Sequence, residues 1–259
     1  MAHHALVGTA GARAPRLGRP VGSAVTAVGG VVLLLPDGEP ESGRGPSPLA
    51  HAAALALARP LARAGRAGRA EGLVAHVLRY RGRGWNGTDA RLAADARWAV
   101  SEVVRRYGDV PVCLAGRGMG GRAALRAAGH TAVNAVLALA PWLPEDDVAA
   151  APEPVKQLAG RHVLIAHGTN DARTDPELSY RLAERAKKAN RDTCRFEVHS
   201  DGHTLREHHA EVTALAADFV LGALFGHPFS RPVADAFAAP PPLGLRMPLA
   251  SGFGRAPRR

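Results

Sequence analysis

Three short motifs carry the residues that could do chemistry in this sequence. Residues 116–121, Gly-Arg-Gly-Met-Gly-Gly, follow an apolar run at residues 112–115 and precede an alanine-rich segment. This order predicts a strand, a glycine turn and a helix. Asp171 ends the run His-Gly-Thr-Asn-Asp, and His203 ends Asp-Gly-His. Carboxylates and histidines are residue types that can take part in proton transfer.

The glycine turn fits two known patterns. In G-x-S-x-G, a serine nucleophile lies at the tip of a strained strand-to-helix turn. Gly116 and Gly120 match that pattern, and Gly118 occupies the position of the serine. In G-x-G-x-x-G, glycines let a pyrophosphate approach a helix N-terminus. Gly116, Gly118 and Gly121 match that pattern, which would predict a dinucleotide-dependent oxidoreductase.

The position of the turn along the chain favours the serine pattern. A dinucleotide fold carries its glycine turn after the first strand, with an acid about 20 residues later that holds the ribose. Here several predicted strands precede the turn, and the next strand ends at Pro141 without an acid. The serine pattern requires an acid after a later strand and then a histidine after the last one. Asp171 and His203 follow in that order, so the oxidoreductase is the less favoured alternative.

Together the three motifs resemble the α/β-hydrolase superfamily, in particular its smaller esterase-like and dienelactone-hydrolase-like members. The resemblance implies that Asp171 orients His203. It also implies an oxyanion hole made by the backbone amide of Met119 and one from the loop near Asp37 and Gly38. It implies no cofactor and no metal.

Gly118 departs from the family pattern because it has no hydroxyl for a base to activate. The turn imposes a backbone conformation that strains a residue with a Cβ by about 1–3 kcal/mol, whereas glycine tolerates it. We therefore expect the fold to persist and serine catalysis to be lost. The main hypothesis is a catalytically impaired hydrolase-like protein that binds a small acyl-type ligand or a protein partner.

The alternative is an active hydrolase that uses the His203–Asp171 pair with water or a non-standard nucleophile, so the sequence leaves open whether the chain is an enzyme. Cys113 should point into the core, and Ser42 and Ser47 lie in the loop after a predicted strand. Asp171 could instead cap its own loop through backbone amides. His203 could instead be a surface residue before a helix.

Composition excludes other classes of function. The formal net charge of +10 comes mostly from scattered arginines without interleaved aromatics, so we do not expect nucleic-acid binding. Two cysteines are too few for a disulfide framework. No apolar run is long enough to cross a membrane, and no signal peptide is recognised, so the predicted location is the cytoplasm. Four histidines and a glutamate lack metal-ligand spacing, namely His199, His203, His208, His209 and Glu207.

Strands that alternate with helices predict an α/β fold, with a mostly parallel sheet, helices on both faces and no large cap domain. The glycine turn and the loops at 167–175 and 200–204 should then lie side by side at one sheet edge. The predicted organisation is a flexible N-terminal segment at 1–20, an α/β-hydrolase-like domain at 21–226 and an extended Pro-rich tail at 227–259.

Particular residues predict where elements begin. Residues 24–28 and 31–35 are predicted to form one or two strands. Thr88 or Asp89 should cap the helix that follows, and Asp175 should cap a helix whose first turn contains Pro176. Thr204 and Glu207 form a capping-box pattern that predicts a further helix start.

Overall fold

The computed structural model describes residues 13–22, 27–67, 72–145 and 152–255. Within them the chain forms an eight-stranded sheet with the strand order β1-β3-β2-β4-β5-β6-β7-β8. The strands are β1 (Arg16–Leu17), β2 (Gly30–Leu35), β3 (Leu73–Arg79), β4 (Val112–Gly118), β5 (Val133–Pro141), β6 (His162–Gly168), β7 (Thr193–Val198) and β8 (Met247–Pro248). Among these eight strands, only the pairing of β1 with β3 is antiparallel.

Helices cover both faces of the sheet. They are α1 (Pro48–Ala67), α2 (Arg91–Tyr107), α3 (Met119–Ala127), α4 (Pro176–Ala189), α5 (His209–Phe225) and α6 (Arg231–Ala238). One core layer contains α2, α3 and α4, and the other contains α1, α5 and α6. Alternate residues of β2 enter the two layers: Leu33 and Leu35 the first, and Val32 and Leu34 the second. A strand buried on both faces must be apolar throughout, as Gly-Val-Val-Leu-Leu-Leu is.

Parallel register places the carboxyl ends of the central strands at one edge. Leu35 at the end of β2 pairs with Gly116 in β4, and Gly168 at the end of β6 pairs with Val198 at the end of β7. The loops that follow β2, β4, β6 and β7 therefore leave the sheet on the same side. The connector between β5 and β6 is confined to residues 142–161, and no large cap domain is evident in its described part.

The C-terminal segment differs from the prediction of an extended tail. Residues 231–238 form α6, and β8 adds a strand to the edge of the sheet. Four apolar side chains of this segment are buried: Val233, Ala236, Leu245 and Leu249. At the other end of the chain, β1 pairs with β3, so residues 16–17 are part of the sheet and not of a loose segment. The proline-rich composition did not prevent either segment from packing.

Two predicted helix starts are wrong and one is confirmed. α5 begins at His209 because Asp201 holds the preceding turn through the backbone N–H groups of Arg206 and His208. α2 begins at Arg91, after a short 3₁₀ turn that contains the expected caps Thr88 and Asp89. The Asp175 carboxylate accepts from the N–H of Glu177 at 2.8 Å and caps α4 as predicted. The strand predicted at 24–28 falls largely outside the described residues, and that predicted at 31–35 is β2.

None of the helices in the described residues combines the length and the apolar character that a membrane crossing requires.

Candidate active site

The turn between β4 and α3 is built from closely packed glycines. Gly118 has φ 56° and ψ −124°, a backbone conformation that L side chains rarely adopt. A Cβ on Gly116 would overlap the backbone of Gly120, and a Cβ on Gly120 would overlap the carbonyl oxygens of Leu35 and Pro36. The turn therefore needs glycine at three positions, one for its dihedral angles and two for close backbone approach.

Asp171 and His203 meet at the ends of β6 and β7 as the motif order predicted. His203 Nδ1 lies 2.8 Å from Asp171 Oδ2, and both residues are largely buried. The other oxygen of Asp171 accepts from the backbone N–H groups of Arg173 at 2.8 Å and Thr174 at 3.1 Å. The two alternative roles considered for Asp171 are thus both present, because one oxygen caps the loop and the other contacts the histidine.

A second histidine contacts the same carboxylate oxygen from behind. His167 is buried, with Nε2 3.1 Å from Asp171 Oδ2 and Nδ1 2.9 Å from Ser179 Oγ. Arg195 Nε donates to the same Ser179 hydroxyl at 3.0 Å. A buried chain of contacts therefore runs from Arg195 to His203. Sequence reasoning missed this role for His167, whose only signal is a histidine directly after the apolar run at residues 163–166.

Asp37 contributes a side chain to the site, where sequence reasoning expected a backbone amide. Its Oδ1 accepts from the N–H of Met119 and from the N–H of Gly38, each at 2.8 Å. These are two donors of the kind that hold the oxyanion in acyl transfer, at the distance such donors require. The N–H groups of Met119 and Gly38 thus point to one place, which the Asp37 carboxylate occupies.

The same carboxylate fills the space in front of Gly118. A Cβ on Gly118 would overlap Asp37 Oδ1 and would lie 2.7 Å from Cγ. Asp37 Oδ2 is 3.9 Å from His203 Nε2, too far for a hydrogen bond, and this buried Nε2 has no hydrogen-bond partner in the described residues. Asp37 therefore occupies the volume that a nucleophile side chain at position 118 would need.

The charges of the site favour an anion–cation–anion arrangement. Burial raises the pKa of Asp37, but nearby His203 and the N–H groups of Met119 and Gly38 lower it more, so the pKa is below its usual value. Burial also raises the pKa of Asp171, but hydrogen bonds from His167, Arg173 and His203 hold it well below the usual range. Burial lowers the pKa of His203, yet Asp37 and Asp171 raise it above its usual value on balance. Two carboxylates thus flank an imidazole that protonates readily.

The other candidate nucleophiles from the sequence are a buried thiol, Cys113, and two hydroxyls that accept from backbone N–H groups, Ser47 and Ser42. Cys113 is fully buried in β4, and burial raises the pKa of its thiol far above the usual range. Ser47 lies at the start of α1, where its hydroxyl accepts from the N–H of Ala50 at 3.3 Å. The hydroxyl of Ser42 accepts from the N–H of Arg44 at 3.3 Å. The described residues include no group of three or more His, Cys, Asp or Glu that could hold a metal ion.

Comparison with solved structures decides the fold. The Pyrococcus furiosus esterase Pf2001 aligns with a TM-score of 0.59 at 15% identity, over 76% of this chain and 82% of that one. The Xanthomonas campestris protein XC6422, an α/β serine hydrolase without a lid, aligns with a TM-score of 0.57 at 19% identity, over 83% and 90%. The chain has the α/β-hydrolase fold. A putative α/β hydrolase from Agrobacterium tumefaciens, ATU1826, aligns with a TM-score of 0.54 at 15% identity, over 82% and 92%.

These identities are too low to carry more than the fold. The sequence matches no protein-family model, and a search of curated proteins gives no significant match. The fold expected from the sequence is confirmed, including the lack of an evident large cap. Within the α/β-hydrolase fold of this chain, Gly118 ends β4, Asp171 follows β6 and His203 follows β7. Asp37, after β2, completes the cluster.

Proposed function

We propose that this chain is a hydrolase-like protein whose esterase chemistry is blocked at two points, and that it acts by binding a small ligand. The observation that carries the proposal is the position of Asp37. Its carboxylate accepts from Met119 and Gly38 and overlaps the site of any Cβ at Gly118. One side chain thus takes the places of both the oxyanion and the nucleophile.

The block is energetic as well as steric. A hydrogen bond to an ionised acceptor contributes about 1.5–3 kcal/mol, and Asp37 Oδ1 accepts two of them. A substrate carbonyl is neutral in its ground state and would have to displace this anion before its own oxygen could reach the same donors. Gly118 offers no hydroxyl to attack that carbonyl in any case.

A second candidate function is hydrolysis by a water molecule that His203 activates. The observation in its favour is the Asp171–His203 contact of 2.8 Å, which would hold the imidazole in position for proton transfer. Against it, the raised pKa of His203 favours the imidazolium, which is not a base. The dinucleotide alternative is not favoured, because the Asp37 carboxylate lies at the N-terminus of α3 where a pyrophosphate would bind.

The test removes both blocks together. We would compare the natural protein, Asp37→Ala, Gly118→Ser and the double variant Asp37→Ala/Gly118→Ser, using a fluorophosphonate probe and a chromogenic acetate ester. We expect labelling and ester turnover only in the double variant, with loss of both when His203→Ala is added. Asp235→Ala/Gly118→Ser is the matched control, since Asp235 is an exposed aspartate in α6.

Three results would contradict the proposal. Labelling of the natural protein would reveal a nucleophile that the site does not show. Ester turnover by the natural protein that disappears in His203→Ala, without labelling, would establish the second candidate function instead. A folded double variant with no activity would show that Asp37 and Gly118 do not account for the block.

A further inference from the structure

A cavity lies beside the candidate active site, on the side of β1 and β3. Its volume is about 480 Å³, and Asp37 and Pro36 form the wall that it shares with the site. The size is within the range of about 300–1,000 Å³ that is typical of small-molecule sites. The opposite walls carry four arginines, namely Arg13, Arg16, Arg79 and Arg83.

The arginines bring positive charge into this cavity that Asp37, the one carboxylate among its lining residues, balances only in part. Arg16 and Arg79 are directly opposite each other in the antiparallel pair of β1 and β3. Like charges at such a cross-strand position destabilise the pairing unless an anion lies between them. Among the described residues, Arg13, Arg16 and Arg79 have no carboxylate partner. Arg83 pairs with Glu39 at 3.2 Å, but its buried Nε has no partner in the described residues.

The N-terminus of α1 forms another wall. Ser47, Pro48 and His51 line the cavity, and the first turn of this 20-residue helix contains no acidic residue. The positive end of the helix dipole is therefore not balanced by a carboxylate of its own helix. A helix N-terminus beside several guanidinium groups favours the binding of an anion.

A buried hydroxyl without a partner gives independent support for a ligand. Tyr80 lines the cavity and is 3% exposed, yet its hydroxyl has no hydrogen-bond partner in the described residues. Burial, and then the charges of Asp95 and Asp37, raise the pKa of this phenol well above its usual value, so it remains protonated and can donate. Leaving a buried polar group unpaired is unfavourable, and an acceptor that reached this hydroxyl from the cavity would satisfy it.

We propose that this cavity binds a small soluble phosphorylated compound, with the phosphoryl group held between Arg16 and Arg79 and hydrogen-bonded by Tyr80. This inference rests on the proposed function, because it names the class of ligand for the proposed binding role. A single carboxylate would leave most of the arginine charge unbalanced. A phosphoryl group carries about −1.5 to −2 charges at pH 7, and its oxygens match the guanidinium fork.

A neighbouring cavity is a weaker candidate for an anion site. It has a volume of about 510 Å³ and shares Arg13, but two of its arginines already have carboxylate partners. Arg81 pairs with Asp95 at 2.6 Å, and Arg91 pairs with Asp89 at 3.0 Å. Its charge is therefore better balanced.

Titration calorimetry with inorganic pyrophosphate tests the proposal, with acetate as the singly charged comparison. We expect pyrophosphate to bind and acetate not to bind. Arg16→Gln and Arg79→Gln should each weaken binding by about tenfold or more. Tyr80→Phe should weaken binding without lowering the thermal stability, because the hydroxyl it removes has no partner in the described residues. Arg97→Gln, which removes an exposed arginine of α2, is the matched control and should bind as the natural protein does.

The proposal is overturned if pyrophosphate does not bind at millimolar concentration, or if Arg97→Gln weakens binding as much as Arg79→Gln. Sedimentation with vesicles that contain phosphatidic acid, without binding of pyrophosphate, would also overturn it in favour of a lipid surface. These outcomes are independent of the esterase test. Reactivity with the fluorophosphonate probe would refute the blocked site and leave the anion site standing, whereas failure to bind pyrophosphate would leave the blocked site standing.

Discussion

The Asp37 carboxylate accepts a hydrogen bond from the backbone N–H of Met119, with 2.8 Å between Oδ1 and N. The two residues are 82 positions apart in the sequence, so the contact joins the loop after β2 to the N-terminus of α3. A carboxylate at a helix N-terminus is favoured by the helix dipole. Asp37 thus stabilises the turn at Gly118.

This relationship predicts that Gly118→Ala destabilises the protein for two separable reasons. The positive φ of 56° strains any residue with a Cβ by about 1–3 kcal/mol. Overlap with Asp37 adds a packing penalty of about 1–3 kcal/mol. Urea denaturation should therefore show a loss in the free energy of unfolding that exceeds the strain alone.

Gly108→Ala provides the matched control for Gly118→Ala. Gly108 has φ 81° and ψ −156°, in the same region of positive φ and negative ψ as Gly118, and nothing within 4 Å of its Cβ position, so this variant measures strain without overlap. In an Asp37→Ala background, Gly118→Ala should be no more destabilising than Gly108→Ala. Equal penalties for Gly118→Ala with and without Asp37 would refute the overlap.

A second prediction concerns the pKa of His203. Asp37→Asn keeps an oxygen that can accept from Met119 but removes the charge 3.9 Å from His203 Nε2. The pKa of His203, followed by NMR titration, should be above its usual value of 6.5 in the natural protein and lower in Asp37→Asn. Asp235→Asn, at an exposed aspartate paired with Arg231, should leave it unchanged.

The same groups set the pH dependence of stability. Because the folded-state pKa of His203 is raised, its contribution is fully present below about 6.5 and is lost as the pH rises through the raised value. The folded-state pKa of Asp37 is lowered from 3.8, so its contribution is present above that value and is lost as the pH falls. The stability difference between the natural protein and Asp37→Asn should therefore be largest near pH 5 and shrink toward both ends. A difference that does not vary with pH would contradict both assignments.

The position of Asp171 relative to His203 could be predicted from the sequence, because it depends on chain order and sheet topology alone. Each residue follows a parallel strand, and parallel strands end at the same edge. That glycine at 118 tolerates the backbone conformation of the turn also followed from the turn geometry. These are local or topological properties that a pattern of residues specifies.

The role of the Asp37 side chain could not be predicted in this way. Whether a loop residue offers its amide or its carboxylate depends on a side-chain rotamer and on free space, here the space left by the missing side chain at Gly118. The helix start predicted from the capping-box pattern at Thr204 is wrong for a similar reason. The Asp201 carboxylate accepts from the N–H groups of Arg206 and His208, and the helix begins only at His209. The C-terminal segment packs because its few apolar residues meet β7 and α5, which composition does not reveal.

Another prediction concerns the two cysteines. Cys113 and Cys194 are fully buried, and burial raises the pKa of both thiols far above the usual range. Because the thiolate is the reactive form, neither cysteine should react with Ellman's reagent in the native protein, and both should react in denaturant. Rapid reaction of one thiol in the native protein would restore Cys113 as a candidate nucleophile.

The last prediction separates an electrostatic role of His167 from a structural one. Burial and the nearby Arg195 charge lower the pKa of His167, outweighing its contact with Asp171, so the ring is neutral. A neutral imidazole can donate from Nε2 to Asp171, while its Nδ1 lies 2.9 Å from the Ser179 hydroxyl, which donates to the Pro176 carbonyl at 2.8 Å. His167→Phe would remove the N–H that donates to Asp171 Oδ2, so that His203 would be the remaining histidine in contact with this oxygen. We expect the free energy of unfolding to fall by about 1–3 kcal/mol and the pKa of His203 to rise.

Ser179→Ala breaks the chain of contacts without touching Asp171, so it should lower stability and leave the pKa of His203 unchanged. If His167→Phe leaves that pKa unchanged as well, His167 only fills space behind the carboxylate.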